Sequence, residues 1–312
     1  MSKYFMKNKD LISIADLSRP EIEEIFQVTK ELKDLHIKGV EEKCLSGRIL
    51  GLIFEKSSMR TRVSLEVAIV QLGGYAIYQT QTEINLGKRE AIKDVAKVLS
   101  RYLNGIAIRT FGHDTVLELA KYATIPVINA LTDLYHPCQA LTDVYTILEK
   151  FKTLENIKIV FIGDGNNVAK SLAQTCIKLG IDFHIASPKG YEFDADFISE
   201  LKHMANGKNL LHLYRNPEEA AENANVIYTD TWTSMGQEAE AEIRRQAFEN
   251  YQVNAALLKK CADNVKVMHC LPAHRGEEIT DEVIDGKCSV VYDQAENRLH
   301  VEKAILKLLL VR

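Results

Sequence analysis

Two doubly wound parallel-sheet α/β domains, joined by interdomain helices, are the fold class this sequence predicts. Three observations carry that expectation. The chain of 312 residues is long enough to bury two cores of ordinary size. Short apolar runs alternate with stretches of helical periodicity, the β-α-β rhythm of a parallel sheet covered on both faces. The rhythm pauses at a helix near Pro137–Lys150 and then begins again. The expected division is 1–148 for the first domain and 149–298 for the second, with a C-terminal helix, 299–312, packing back on the first.

The elements follow in order. Ser18-x-x-Glu21 forms a capping box with Pro20 in the first turn, and Ile22, Ile25, Phe26 and Leu32 recur at helical spacing behind it. Ile49–Phe54 reads as a buried strand. A helix starts at Ser58, carries Val63, Val67 and Val70 on one face, and ends at Gly73-Gly74. Strands at Tyr75–Tyr78, Ile106–Ile108 and Val127–Leu131 are separated by helices at Ala91–Tyr102 and Thr115–Tyr122. In the second half the expected strands are Ile157–Ile162, Phe183–Ala186, Val226–Thr229, Val265–His269 and Val290–Tyr292. Asn167–Leu179 and the leucine-rich Val301–Leu310 are expected helices, and Gly236–Gln252 is the expected mobile loop. Ligands are expected between the two halves, at the carboxyl ends of the strands.

Composition narrows the function. Hydrophobic residues make up 46% and charged residues 26%, a globular balance rather than a disordered one. A net charge of -4 argues against a general nucleic-acid or membrane-surface role, so a cationic site must be local and aimed at a small anion. The opening Met1–Lys7 lacks the apolar core and cleavage site of a secretory leader, and no apolar run approaches a membrane span; a cytoplasmic location is expected. The six cysteines, Cys44, Cys138, Cys176, Cys261, Cys270 and Cys288, form no C-x-x-C pair and read as reduced thiols. His269, Cys270 and His274 do not complete a zinc ligand set at a structural spacing, and no metal or cofactor is expected.

Five short segments carry chemistry. Ser57-Ser58-Met59-Arg60-Thr61-Arg62 lies between a buried strand and a helix, where backbone N–H groups, hydroxyls and guanidinium groups suit phosphate oxygens. A Ser-capped helix with solvated arginines would read the same way. His136-Pro137-Cys138-Gln139 opens a helix, and with Arg109 at a strand end it can surround one carbonyl oxygen with donors. Gly163-Asp164-Gly165-Asn166-Asn167-Val168 superficially matches a dinucleotide fingerprint, but the third glycine and the ribose acid are missing. A helix N-terminus with two asparagines suits a small carboxylate instead. Asp230-Thr231-Trp232-Thr233-Ser234-Met235-Gly236 offers an aspartate and a serine to an ammonium group, or is simply a polar loop. His269-Cys270-Leu271-Pro272 is a strand end with a buried cysteine, or a source of backbone carbonyls and a thiol for a reacting centre.

Taken together, S-M-R-T-R, H-P-C-Q and H-C-L-P, in that order and across essentially the whole chain, resemble the aspartate/ornithine carbamoyltransferase family. The T-S-M-G-Q-E stretch is similar to the loop of its ornithine-specific branch. The resemblance implies carbamoyl phosphate on the first half and the amine substrate on the second, with citrulline and phosphate as products. It implies that Ser58, Met59, Arg60, Thr61 and Arg298 bind the phosphate, and that Arg109, His136 and Gln139 hold the carbamoyl end. Asn167 and the Met235 backbone would receive the ornithine carboxylate, and Asp230 and Ser234 its α-ammonium. The Cys270 and Leu271 carbonyls would orient the carbamoyl nitrogen, with Arg109, His136 and Cys270 as the catalytic set. The family's homotrimer sends a loop into the neighbouring site. Here that loop is Glu83–Glu90, and Asn85 stands where glutamine is usual.

Carbamoyl phosphate is already activated, so the implied chemistry requires no metal and no covalent enzyme intermediate. Positioning of an uncharged amine and stabilisation of the oxyanion would suffice. Putrescine is the rival acceptor; a nucleotide-binding oxidoreductase and a non-catalytic homologue are the rivals from other classes.

Overall fold

The structure, a computed structural model, describes residues 6–234 and 236–311. Met1–Phe5, Met235 and Arg312 lie outside the described residues, and with them the expectations for the first five residues and for the Met235 backbone. The chain divides into two compact units, residues 1–142 with 296–312, and residues 143–295. Both divisions fall inside helices, a few residues before the expected 148 and 298.

The first unit opens with α1 (Arg19–Ile37), whose Ser18 and Glu21 cap each other reciprocally. Then come β1 (Ile49–Phe54), α2 (Met59–Gln71), β2 (Tyr75–Thr80), the single turn α3 (Gln81–Ile84), α4 (Ile92–Tyr102), β3 (Gly105–Arg109), α5 (His113–Tyr122), β4 (Val127–Leu131) and α6 (Pro137–Phe151). The four strands are parallel, in the order β2-β1-β3-β4. The central strands β1 and β3 are apolar along nearly their whole length because helices cover both faces. One apolar layer joins Ile53, Ile106, Ile108 and Val127 to Val116 and Leu119 of α5. On α2 the buried face is Thr61, Leu65, Ala68 and Ile69, while Val63 and Val70 are exposed.

The second unit contains β5 (Lys158–Ile162), α7 (Asn167–Leu179), β6 (Asp182–Ala186), α8 (Ala195–Met204), β7 (Leu211–Tyr214), α9 (Pro217–Ala221), β8 (Val226–Thr229), α10 (Ala241–Phe248), α11 (Ala255–Leu258), β9 (Lys266–His269), α12 (Asp281–Ile284) and the start of α13 (Val291–Leu310). Its five strands are parallel, in the order β7-β6-β5-β8-β9. Val160, Ile162, Ile227 and Val267 of the sheet pack with Trp232, Phe248 and Val253 into one core.

Three expectations need correction. Val290–Tyr292 is not a strand: Val290 accepts the Gln294 N–H and α13 runs unbroken from Val291 to Leu310. A β-branched and aromatic triplet looks like a strand, but packing decided otherwise. The fifth strand is β7, which the sequence reading missed because an edge strand with His212 at its centre has no apolar run. Gly236–Gln252 is mostly helical, with α10 between short 3₁₀ turns, rather than a loop.

The last stretch of α13 belongs to the first unit. A Cβ on Gly105 would lie 2.7 Å from the Leu310 side chain, so the end of α13 packs closely on β3 there. Lys303 reaches Gln71 at 3.1 Å and Lys307 reaches Glu42 at 2.7 Å.

Each sheet reverses its winding once. In the first the chain leaves β1 toward β2 and returns to β3 on the other side; in the second it leaves β5 toward β6 and returns to β8. The carboxyl ends of β1 and β3, and of β5 and β8, are therefore the crevices where open α/β sheets bind ligands.

Candidate active site

In the first unit the polar residues gather at the β1/β3 crevice. Ser58 caps α2, its hydroxyl accepting the Thr61 N–H at 3.3 Å, which sets Met59, Arg60 and Thr61 in the first helical turn. Arg109 is the last residue of β3, in register with Phe54, and is buried. His136 and Gln139 sit at the start of α6 and are also buried. Arg298 of α13 ties the group together. Its Nη1 donates to Gln139 Oε1 at 2.6 Å, and its Nη2 donates to Thr61 Oγ1 at 3.3 Å and to Glu302 Oε1 at 2.7 Å. Arg62 makes other contacts: it pairs with Glu66 at 3.1 Å and stacks on Tyr78.

Burial, reinforced by the Arg298 and Arg109 guanidiniums, holds the His136 imidazole well below its ordinary pKa. A neutral ring can still donate one N–H to a carbonyl oxygen. Because the shift is downward, the stability it contributes is complete above about pH 6.5 and is lost as the pH falls below that value. We expect the His136 signals in an imidazole NMR titration to stay put from pH 8 to 6. A midpoint near 6.5 would mean that the ring is hydrated and ordinary.

Asn85 ends α3 in a left-handed conformation, φ 44°, which asparagine tolerates better than glutamine does. The backbone carbonyl of Asn85 accepts from Lys88 and Arg89, and Leu86 is buried, so the 83–90 segment is a compact turn pinned at one point. Lys88 and Arg89 are exposed.

In the second unit Asp230, just past β8, is the hub. Its Oδ1 accepts the Thr231 N–H at 2.8 Å and the Cys270 thiol at 3.0 Å; its Oδ2 accepts from Asn166 Nδ2 at 2.9 Å. Asn166 also caps α7 through the Val168 and Ala169 N–H groups, leaving Asn167 as the first helical residue. Ser234 and Gln237 hydrogen-bond each other, and Gly236, just before Gln237, has φ 94°, where a glycine is needed. Arg244 of α10 anchors this segment, donating to Asp164 at 2.7 Å and to the Trp232 carbonyl at 3.1 Å. Leu271 follows Cys270 at the end of β9, and both are half-buried, so Cys270 is not the fully buried thiol of the alternative reading.

A Cβ on Gly165 would meet the Glu192 and Phe193 backbone at 2.9 Å, so the glycine loop is closed by protein rather than open to a pyrophosphate. Asp230, His269 and Cys270 lie close enough to hold a cation, but both ring nitrogens of His269 are already engaged, by Leu271 and Glu278.

Residues 9–149 match the carbamoyl-P binding domain of the aspartate/ornithine carbamoyltransferases, and residues 155–309 match their Asp/Orn binding domain. The chain belongs to the aspartate/ornithine carbamoyltransferase family. It is 50% identical to the ornithine carbamoyltransferase of Syntrophus aciditrophicus over 97% of this chain and 99% of that one. The ornithine carbamoyltransferase structure from Pyrococcus furiosus superposes with a TM-score of 0.94 at 49% identity, covering 96% of each chain. An anabolic ornithine carbamoyltransferase from Campylobacter jejuni superposes at 0.91 with 35% identity, covering 97% and 99%.

Two residues of the candidate site have contacts that their sequence context does not reveal. Glu302 balances Arg298, and only its spacing of four from that arginine hinted at it. Asn166 rather than Asn167 makes the Asp230 contact; an asparagine directly before a helical run signals a cap, but not what its amide reaches.

Proposed function

We propose that this carbamoyltransferase moves the carbamoyl group of carbamoyl phosphate to the δ-amine of L-ornithine, giving L-citrulline and phosphate. The observation that carries the acceptor is the buried Asp230 carboxylate, fixed by Asn166, Thr231 and Cys270. An anchored carboxylate suits an α-ammonium group, and the names of the relatives above agree with it.

Ser58, Met59, Arg60, Thr61 and Arg298 take the phosphate, while Arg109, His136 and Gln139 surround the carbamoyl oxygen. Neutral His136 donates an N–H, and the Arg109 guanidinium stabilises the developing oxyanion. Asn167 and Met235 receive the ornithine carboxylate, Asp230 and Ser234 its ammonium, and the Cys270 and Leu271 carbonyls the carbamoyl nitrogen. The δ-nitrogen forms a bond to the carbonyl carbon, the bond to the phosphate oxygen breaks, and the proton leaves with phosphate. An assay of citrulline formation with ornithine, putrescine, aspartate and N-acetylornithine tests the reading. Turnover of aspartate alone would replace it.

A homotrimer in the cytoplasm is the assembly we favour. Met59, Val63 and Val70 of α2 and Tyr75 and Ile77 of the edge strand β2 are large, apolar and exposed, a surface suited to a second copy of the chain. No helix among the described residues is long and apolar enough to cross a membrane. If the Asn85 turn completes a neighbour's site, mixing an Asn85/Lys88/Arg89 triple-alanine variant with Arg60→Ala regenerates intact sites and activity. Mixed oligomers that stay inactive would mean that each subunit is self-sufficient.

A further inference from the structure

Leu271 stands in the left-handed region, φ 57°, a conformation that costs a non-glycine residue roughly 1–3 kcal/mol. A relay of buried side chains holds it there. The Leu271 N–H donates to His269 Nδ1 at 2.9 Å. A ring nitrogen that accepts carries no hydrogen, so the hydrogen of the neutral ring is on Nε2, and Nε2 donates to Glu278 Oε1 at 3.0 Å. The same Oε1 accepts the His274 N–H at 2.7 Å, so one oxygen ties down both ends of the turn that carries Cys270 and Leu271. The His269 and Glu278 side chains are fully buried. The His269 backbone N–H is held in turn by Gln294 at 3.0 Å.

The second oxygen of Glu278, Oε2, is buried with no hydrogen-bond partner. Leaving a carboxyl oxygen so stranded is unfavourable, and an apolar side chain would fill the space at lower cost. What an apolar group could not do is choose the histidine tautomer. With the hydrogen on Nδ1 instead, two N–H groups would face each other and the Leu271 turn would be released.

We propose that Glu278 is a positioning residue for carbamoyl transfer. It fixes the Nε2–H tautomer of His269, and the ring in turn fixes the Cys270 and Leu271 carbonyls toward the carbamoyl nitrogen. The inference rests on the reading above that places those carbonyls on that nitrogen. Glu278 touches no substrate; it acts through His269.

Two substitutions separate positioning from bulk stability. Glu278→Ala removes the acceptor, and kcat for citrulline should fall on the order of 10²-fold, the scale of a misplaced reacting group. The KM for carbamoyl phosphate should stay within about threefold, because its phosphate donors are elsewhere. Glu278→Gln keeps an acceptor oxygen for His269 and His274 but buries an amide NH₂ without a partner. It should melt below the wild type and yet keep kcat within about fivefold. Hydrogen exchange at the Leu271 amide should quicken in Glu278→Ala and not in Glu278→Gln. Turnover that simply follows melting temperature across the two variants, or a Glu278→Ala enzyme with unchanged kcat, would overturn the proposal. Wild-type protein that makes no citrulline would remove the ornithine reading on which the proposal rests, an outcome visible before any variant is made.

Discussion

Ornithine should be carbamoylated in preference to putrescine by a factor on the order of 10⁴ in kcat/KM. The two amines present the same reacting nitrogen and differ at the far end, where ornithine carries a carboxylate. A site with buried polar groups dedicated to a substituent rejects a ligand that lacks it, because those groups lose water and gain nothing. Asp230, buried and held in one orientation by the Asn166 amide, the Thr231 N–H and the Cys270 thiol, fixes an ammonium group, so on the proposed reading the discrimination falls on the groups that meet the carboxylate. Putrescine offers Asp230 its distal ammonium but brings no carboxylate to the helix N-terminus at Asn167. Initial rates with each amine at subsaturating concentration measure the ratio. Asn167→Ala should shrink it chiefly by lowering the ornithine rate. Equal rates for the two amines in the wild type would remove the ornithine assignment and leave the carbamoyl donor untouched.

What the sequence revealed of this site depended on how local each feature was. Ser58 and Ser18 cap their helices because a hydroxyl before a helical run has one nearby use, and both are legible within a few residues. The buried strands β1, β4, β5 and β8 are apolar runs bounded by polar turns, and they fell where expected. The edge strand β7 did not, since half-exposure removes the apolar run that marks a strand. Val290–Tyr292 misled for the opposite reason: its local preference was clear and tertiary packing overrode it. Long-range polar contacts were the least legible. Nothing near Arg298 in the sequence points to Gln139, 159 positions away, and nothing near Glu278 shows that its carboxyl selects a histidine tautomer. Asn85 illustrates an intermediate case. The missing methylene was visible in the sequence, but its compatibility with a left-handed turn became clear only from the backbone.

Arg298→Met should lower kcat/KM for carbamoyl phosphate by on the order of 10³, and should also destabilise the first unit. The two effects have separate causes. Arg298 is buried and bonds Thr61 and Gln139, so on the proposed reading its removal deletes both an anion ligand and the strut that holds two other site residues. It is also the partner of Glu302, whose carboxyl is buried; burial raises the pKa of that group while the Arg298 charge pulls it down. Breaking a buried pair from one side typically costs about 3–5 kcal/mol, because the remaining charge is stranded. Glu302 can relieve part of this by taking up a proton, so the loss should be larger at pH 8 than at pH 5. The double variant Arg298→Met/Glu302→Met removes both charges and replaces them with apolar volume, and should recover most of the melting temperature. It should recover none of the activity, since the donors to phosphate are still gone. Thermal unfolding followed at both pH values, together with carbamoyl phosphate titration of all three proteins, separates the two contributions. A double variant that regained turnover along with stability would show that Arg298 serves the fold of this unit and not its anion.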